Sequence, residues 1–88
     1  MTPVKIAVIG PGDAADRLAL GLVSAGTEVT GVNLSEASGV PVSETFEGAV
    51  VGADLVMSLN SSTAALRAAE LSAPHLAPAA LYADLNTA

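Results

Sequence analysis

The sequence of 88 residues contains no cysteine and no tryptophan, and it has a single phenylalanine and a single tyrosine. Without cysteine the chain can form no disulfide framework, no thiolate nucleophile and no cysteine-ligated metal site, and we predict no metal site at all. With so few aromatic rings, the core must be built from valine, leucine, isoleucine and alanine. Hydrophobic residues make up 51% of the chain, so the material for such a core is present.

Basic residues are also scarce. Three lysines and arginines stand against nine aspartates and glutamates, which gives a net charge of −6. Because nucleic acids and anionic membranes are bound by basic surfaces, this balance argues against both as partners. No run approaches the ~20 apolar residues that span a bilayer, and the first apolar run is too short for a signal peptide and carries Lys5. We therefore expect a soluble, cytoplasmic domain.

A glycine-rich turn follows the first apolar run. Residues 4–9 have the near-continuous apolar pattern of a buried parallel strand, and a helical pattern runs from Gly12 to about residue 25. Between them lies Gly10-x-Gly12-x-x-Ala15, a relaxed form of the dinucleotide-binding fingerprint. Gly10 permits a sharp exit from the strand, Gly12 lets a pyrophosphate approach the backbone, and Ala15 lets helix and strand pack closely. The same residues also suit an ordinary strand-to-helix turn, and the motif alone leaves both interpretations open.

The helical pattern after the glycines has an apolar and a polar face. One face carries Ala14, Ala15, Leu18, Ala19, Leu22 and Ala25, and the other carries Asp13, Asp16, Arg17 and Ser24. Leu20 falls among the polar positions, where it is either simply exposed or faces a partner surface.

Strand and helix patterns alternate along the rest of the chain. Further strands are predicted at 28–33, around 40–43, at 53–59 and at 81–85, and further helices at about 43–51, with Ser43 as N-cap, and at 63–72. This alternation predicts an α/β domain, a Rossmann-type doubly wound parallel sheet with strand order 3-2-1-4-5. In that order a ligand crevice lies outside the carboxyl ends of the first and fourth strands.

Small or polar residues follow four of the predicted strands. They are the glycine-rich turn, Asn33-Leu34-Ser35, Leu59-Asn60-Ser61 and Asn86-Thr87. Because the carboxyl ends of parallel strands meet at one edge, we expect these segments to line a dinucleotide site. An acidic residue after the second strand would favour NAD and an arginine would favour NADP. Asn33 and Ser35 are neither, so the preference stays open, and both residues also suit an ordinary turn.

The chain resembles the N-terminal cofactor domain of the β-hydroxyacid dehydrogenases, the family of 3-hydroxyisobutyrate dehydrogenase and 6-phosphogluconate dehydrogenase. The resemblance is carried by residues 9–15, 52–59 and 82–87, and it covers essentially the whole chain. The closing Asp84-Leu85-Asn86-Thr87 is similar to the Asp-x-Ser-Thr substrate motif of that family, with Asn86 in place of serine. A branch of the family carries Asp-Leu-Asn-Ser/Thr at this point.

The resemblance implies an NAD(P)-dependent oxidoreductase that transfers a hydride between nicotinamide and a small hydroxy-carboxylate. The implied cofactor-binding residues are Gly10, Pro11, Gly12, Asp13, Ala14, Ala15, Asn33, Leu34, Ser35, Leu59, Asn60, Ser61 and Thr87, and the implied substrate-binding residues are Asn86 and Thr87. Asp13 departs from this picture, because its charge disfavours a nearby pyrophosphate unless the side chain turns away.

In that family a lysine from a following helical domain is the general acid/base, and a glycine-rich substrate loop lies just beyond the Asp-x-Ser-Thr motif. The lysine of this chain, Lys5, belongs to the first strand, so we expect no catalytic residue in this chain and no activity from it alone. We expect residues 1–88 to be one dinucleotide-binding domain of a longer two-domain protein. Apolar surface near Leu76 and Leu81 would then be uncovered, which predicts self-association or a poorly ordered carboxyl end. The alternative is a stand-alone nucleotide-binding or regulatory module without turnover, which the same fold would serve equally.

Overall fold

The computed structural model describes residues 4–35 and 39–85, apart from the side chain of residue 62. Within these ranges the elements are β1 (Lys5–Ile9), α1 (Asp13–Ser24), β2 (Glu28–Val32), β3 (Val42–Ser43), α2 (Phe46–Val50), β4 (Leu55–Ser58), α3 (Ser62–Ser72), a 3-10 turn (Ala73–His75) and β5 (Leu81–Asp84). Each predicted strand and helix is present. The edge strand predicted at 40–43 is reduced to its last two residues.

The five strands form one parallel sheet in the order β3-β2-β1-β4-β5. The predicted order and the α/β Rossmann-type class are therefore confirmed. Ile9, the last residue of β1, pairs with Val32 on one side and with Ser58 on the other, and Ser58 pairs in turn with Asp84. Because these are the last residues of their strands, β2, β1, β4 and β5 finish at the same level.

Two hydrophobic clusters cover the two faces of this sheet. Alternate residues of β1 enter opposite clusters, as the pleat of a strand requires. The first cluster lies on the face of α2 and α3 and contains Ala7, Ile9, Val32, Ala49, Val50, Ala53, Val56 and Ala68. The second lies on the face of α1 and contains Ile6, Val8, Ala15, Ala19, Val29, Leu34 and Val40. Both are aliphatic, as the composition predicts.

The start of α2 differs from the prediction that Ser43 is its N-cap. The N-cap is Thr45, whose Oγ1 accepts a hydrogen bond from the Gly48 N–H at 3.0 Å. Ser43 is still in the sheet, where it pairs with Val32, and its hydroxyl instead accepts from the Thr45 N–H and donates to the Thr45 carbonyl. The prediction is wrong because strand pairing holds Ser43 in an extended conformation before the helix can begin.

The predicted apolar surface is only partly present. Leu81 is 69% exposed on β5, as predicted, whereas Leu76 is half-buried because it packs against the first cluster. Leu20 is also exposed. Within the described ranges, no helix is both long enough and apolar enough to cross a membrane.

Candidate functional site

The loops that follow four neighbouring strands are fixed to one edge of the sheet by backbone hydrogen bonds. In each bond the donor is the first residue after one strand and the acceptor is the last residue of the strand beside it. The bonds are Gly10 N–H to Val32 O at 2.9 Å, Leu59 N–H to Ile9 O at 2.8 Å, and Leu85 N–H to Ser58 O at 2.9 Å. The carboxyl edge predicted to hold the ligand is therefore a single continuous rim.

Gly10 and Gly12 meet different steric demands on this rim. A Cβ on Gly10 would lie 2.9 Å from the Asn33 carbonyl oxygen and 3.2 Å from Leu34 Cδ2, so only glycine fits between the loops after β1 and β2. The Gly10–Pro11 peptide is cis. Gly12 has a φ of 129°, which favours glycine, and a Cβ there would meet no described atom within 4 Å. Among the described residues, no side chain therefore fills the space beside Gly12.

The amino end of α1 faces this space. Gly12 is its N-cap, and no side chain among the described residues caps the helix, whereas the hydroxyls of Thr45 and Ser61 cap α2 and α3. The first N–H groups of a helix lack helical partners and lie at the positive end of its dipole. Because Gly12 carries no Cβ, an anionic group can approach these donors. Of the first-turn residues, Asp13 and Ala14 are exposed and Ala15 is buried in the core.

The loop after β2 carries three of the predicted site residues in different environments. Asn33 is exposed and adopts a left-handed φ of 60°. The Leu34 side chain is buried in the second cluster, so only its backbone is left to contact a ligand. Ser35 is exposed, and its N–H donates to Asp16 Oδ1 at 3.0 Å.

The contact between Asp16 and Ser35 is a feature that the sequence reasoning missed. The helical pattern predicts only that Asp16 lies on the polar face of α1. The structure instead brings its half-buried carboxylate onto the loop after β2. One feature of the sequence indicates that Asp16 lies near the sheet: it directly follows Ala15, the small residue at which α1 packs against the sheet.

The loop after β4 is shaped by its own polar side chains. Leu59 is half-buried against the second cluster. Asn60 Oδ1 accepts from the Ser58 hydroxyl at 3.3 Å, and Ser61 Oγ caps α3 by accepting from the Ala64 N–H at 3.2 Å. The predicted Asn86 and Thr87 lie outside the described residues.

The opposite, amino edge of the sheet carries a cavity of about 170 Å³. It is lined by Lys5, Ile6, Glu28, Thr30, and residues of α2 and of the segment that follows it. Asp54, in the second of the matching stretches, is a structural residue here, since its carboxylate accepts from the Lys5 N–H at 2.9 Å. Ligands of open parallel sheets bind at the carboxyl edge, so this cavity is separate from the candidate site. The described residues contain no group of three or more His, Asp or Glu side chains that could hold a metal ion.

Comparison with known proteins gives matches among solved structures only. No protein-family model and no curated protein matches the chain. Mycobacterium tuberculosis 3-hydroxyisobutyrate dehydrogenase, solved with L-serine, matches with a TM-score of 0.86 and 26% identity over 98% of this chain. A PanE/ApbA family ketopantoate reductase from Ralstonia eutropha JMP134 matches with a TM-score of 0.83 and 27% identity over 96% of this chain.

A conserved hypothetical protein from Sinorhizobium meliloti 1021 matches with a TM-score of 0.80 and 31% identity over 97% of this chain. The chain spans about a third of each of these proteins, at 32%, 34% and 33% of their lengths in the order given. The resemblance drawn from the sequence is confirmed at the level of the whole domain, while the role of each motif residue stays a prediction. The chain is a Rossmann-type domain similar to the NAD(P)-binding domain of β-hydroxyacid dehydrogenases.

Proposed function

We propose that the chain binds NAD or NADP at the carboxyl edge of its sheet, as the cofactor domain of a β-hydroxyacid dehydrogenase-like oxidoreductase. The observation that carries this proposal is the amino end of α1, which no described side chain caps and which lies beside the space that the described residues leave open at Gly12. In the intact protein the reaction is hydride transfer between nicotinamide and a small hydroxy-carboxylate. We further propose that residues 1–88 are one domain of a longer, cytoplasmic protein.

The residues on the rim suit the parts of a dinucleotide. The N–H groups of residues 12–15, which have no hydrogen-bond partner among the described residues, are donors for the pyrophosphate. Pro11, Asp13 and Ala14 border it. The loop from Asn33 to Ser35 receives the adenosine ribose, with Leu34 contributing its backbone alone. Leu59, Asn60 and Ser61 border the groove beside it. Asn86 and Thr87 are assigned to the nicotinamide and the substrate carboxylate by resemblance, outside the described residues.

The bound nicotinamide supplies or accepts the hydride, and this chain contributes binding and orientation. Lys5 begins β1 at the amino edge, where its backbone bonds to Asp54, and so lies a full strand away from Gly10. His75 pairs with Glu47, its Nδ1 being 3.6 Å from Glu47 Oε1, at the end of α3 far from its rim-side start. Neither side chain is placed to move a proton at the rim. We therefore expect this chain alone to bind nucleotide without turnover, as a stand-alone module would also do.

Calorimetric titration of the chain with NADH and with NADPH tests the proposal. We expect saturable heat with at least one of them, and a rise in melting temperature with the same one. An absence of both heat and thermal shift with either nucleotide would overturn the proposed function.

Two matched glycine variants locate the site. Gly12 and Gly26 both have positive φ, and a Cβ at either meets no described atom within 4 Å. Alanine at each should therefore cost a similar amount of stability, about 1–3 kcal/mol. Gly12→Ala should also weaken nucleotide binding by about tenfold or more, because it intrudes on the donors of α1, and Gly26→Ala should leave binding unchanged. Equal affinities in the two variants would place the anion elsewhere.

The outer edge of β5 has no neighbouring strand among the described residues, and this leads to a second part of the proposal. We propose that the isolated chain associates with a second copy through the surface around β5 and α3. Leu66 of α3 and Leu81 of β5 are each 69% exposed.

A further inference from the structure

The contact between Asp16 and Ser35 bears on which nicotinamide cofactor the site accepts. We infer that Asp16 makes this site prefer NAD over NADP, an inference that rests on the proposed function. The two cofactors differ at one position, the adenosine ribose, which carries a 2′-hydroxyl in NAD and a 2′-phosphate in NADP. In Rossmann domains an acidic residue after the second strand accepts from that hydroxyl. This chain has Asn33, Leu34 and Ser35 there.

The structure supplies the acidic group from a different element. Asp16 lies in the first turns of α1, and its Oδ1 is 3.0 Å from the backbone nitrogen of Ser35. The carboxylate is therefore held against the loop where the ribose is read. A carboxylate has about four acceptor positions, and the Ser35 N–H uses one of them. The remainder can accept from a 2′-hydroxyl.

The same contact opposes a 2′-phosphate in two ways. The Ser35 N–H, which is a donor that a phosphate would use, already donates to the carboxylate. A phosphate placed beside Asp16 would also meet a like charge. Both effects weaken the binding of NADP and leave the binding of NAD unchanged.

Compensating cations are few, because the whole chain contains three lysines and arginines. Lys5 lies at the amino edge, and Arg67 lies on α3 with its Nη1 3.8 Å from Glu70 Oε2. Arg17 is exposed on α1 next to Asp16 and is the one cation on the helix that faces the site. Any recognition of a 2′-phosphate by this chain would therefore depend on Arg17.

The test compares dissociation constants for NADH and NADPH in the chain and its Asp16→Asn variant. The unsubstituted chain should bind NADH about tenfold or more tightly than NADPH. Asparagine keeps an Oδ1 acceptor for the Ser35 N–H and removes the charge. Asp16→Asn should therefore narrow the ratio at least about fivefold by strengthening NADPH binding.

Asp13→Asn is the matched control, because Asp13 is exposed in the same turn and makes no described contact with the loop after β2. It should change the affinities for both cofactors by the same factor. A second measurement uses only the unsubstituted chain and so does not depend on the folding of any variant. Added salt should bring the affinities for NADH and NADPH closer together, since screening weakens the repulsion between Asp16 and the 2′-phosphate.

If the chain binds NADH but binds NADPH equally tightly or more tightly, this inference is overturned and the proposed function is not. If Arg17→Gln then abolished the NADPH advantage, Arg17 would be the residue that reads the phosphate. An unchanged ratio in Asp16→Asn would equally overturn the role of Asp16. Binding of neither cofactor would overturn the proposed function and this inference with it.

Discussion

Ser72 presents an uncommon packing problem in the last turn of α3. It is fully buried, and its hydroxyl oxygen has no hydrogen-bond partner among the described residues. A hydroxyl removed from water without a partner costs about 1–3 kcal/mol. Nothing at the candidate site depends on this group, since it lies at the end of α3 away from the rim.

Replacing Ser72 with alanine should therefore stabilise the domain. The variant deletes the unpaired oxygen and adds a better helix former, and we expect a gain of about 1 kcal/mol in the free energy of unfolding. Urea denaturation followed by circular dichroism measures it. Ser24→Ala is the matched control, because Ser24 also ends a helix but is exposed and donates to the Leu20 carbonyl at 3.0 Å. A loss of stability in Ser72→Ala would mean that the hydroxyl has a partner after all.

At the scale of single residues, sequence predicted positions better than contacts. Gly10 and Gly12 could be placed from their spacing, because a strand that turns directly into a helix needs small residues at those points. The partner of Asp16 could not be predicted, because it is the backbone N–H of a residue 19 positions away and every residue except proline has such a group. Leu34 could be placed in the loop after the second strand. Its sequence position did not indicate that its side chain packs over Gly10 and enters the core.

At the scale of elements, the three helices differ in how they begin. Thr45 and Ser61 cap α2 and α3 with hydroxyl oxygens, and α1 begins at Gly12 without a described side-chain cap. A side-chain cap is worth about 0.5–2 kcal/mol. The open end of α1 therefore forgoes stability that the other two helices gain, and it leaves the donors that the proposed pyrophosphate requires.

The Ser61 cap can be tested by two substitutions. Ser61→Ala should lower the free energy of unfolding by about 1 kcal/mol, because the Ala64 N–H loses its acceptor. Ser61→Asp should restore stability to the original level, since aspartate accepts the same bond and its charge suits the helix dipole. Chemical denaturation of both variants measures this. If Ser61→Ala and Ser61→Asp lowered the free energy of unfolding equally, Ser61 would not stabilise the domain through the helix cap.

The elements themselves were predictable because their signals are local. Continuous apolar runs indicated the central strands, and the alternation of strands and helices indicated their order. The N-cap of α2 was misplaced for a non-local reason, since Ser43 is held in the sheet by pairing with Val32. No property of residues 43–47 alone distinguishes Ser43 from Thr45 as the cap.

At the scale of the whole molecule, the sheet has an open side. β5 pairs with β4 and has no second neighbour among the described strands. Leu81, the first residue of β5, is 69% exposed, and Leu85, the residue directly after the strand, is 48% exposed. An unpaired strand edge with apolar side chains readily pairs with another chain. Such an edge is the physical basis for the proposed self-association.

Sedimentation velocity over a range of concentrations tests this association. The unsubstituted chain should form a species larger than the monomer as concentration rises, and Leu81→Lys should remain monomeric, since a charged residue on an edge strand opposes pairing. Leu20→Lys is the matched control, because Leu20 is 52% exposed on α1 and lies away from β5. The chain carries a net charge of −6, so added salt should strengthen association by screening the repulsion between copies. A monomer at every concentration and salt level would exclude the β5 edge as a self-association surface, and equal effects of both lysine substitutions would attribute association to general hydrophobicity.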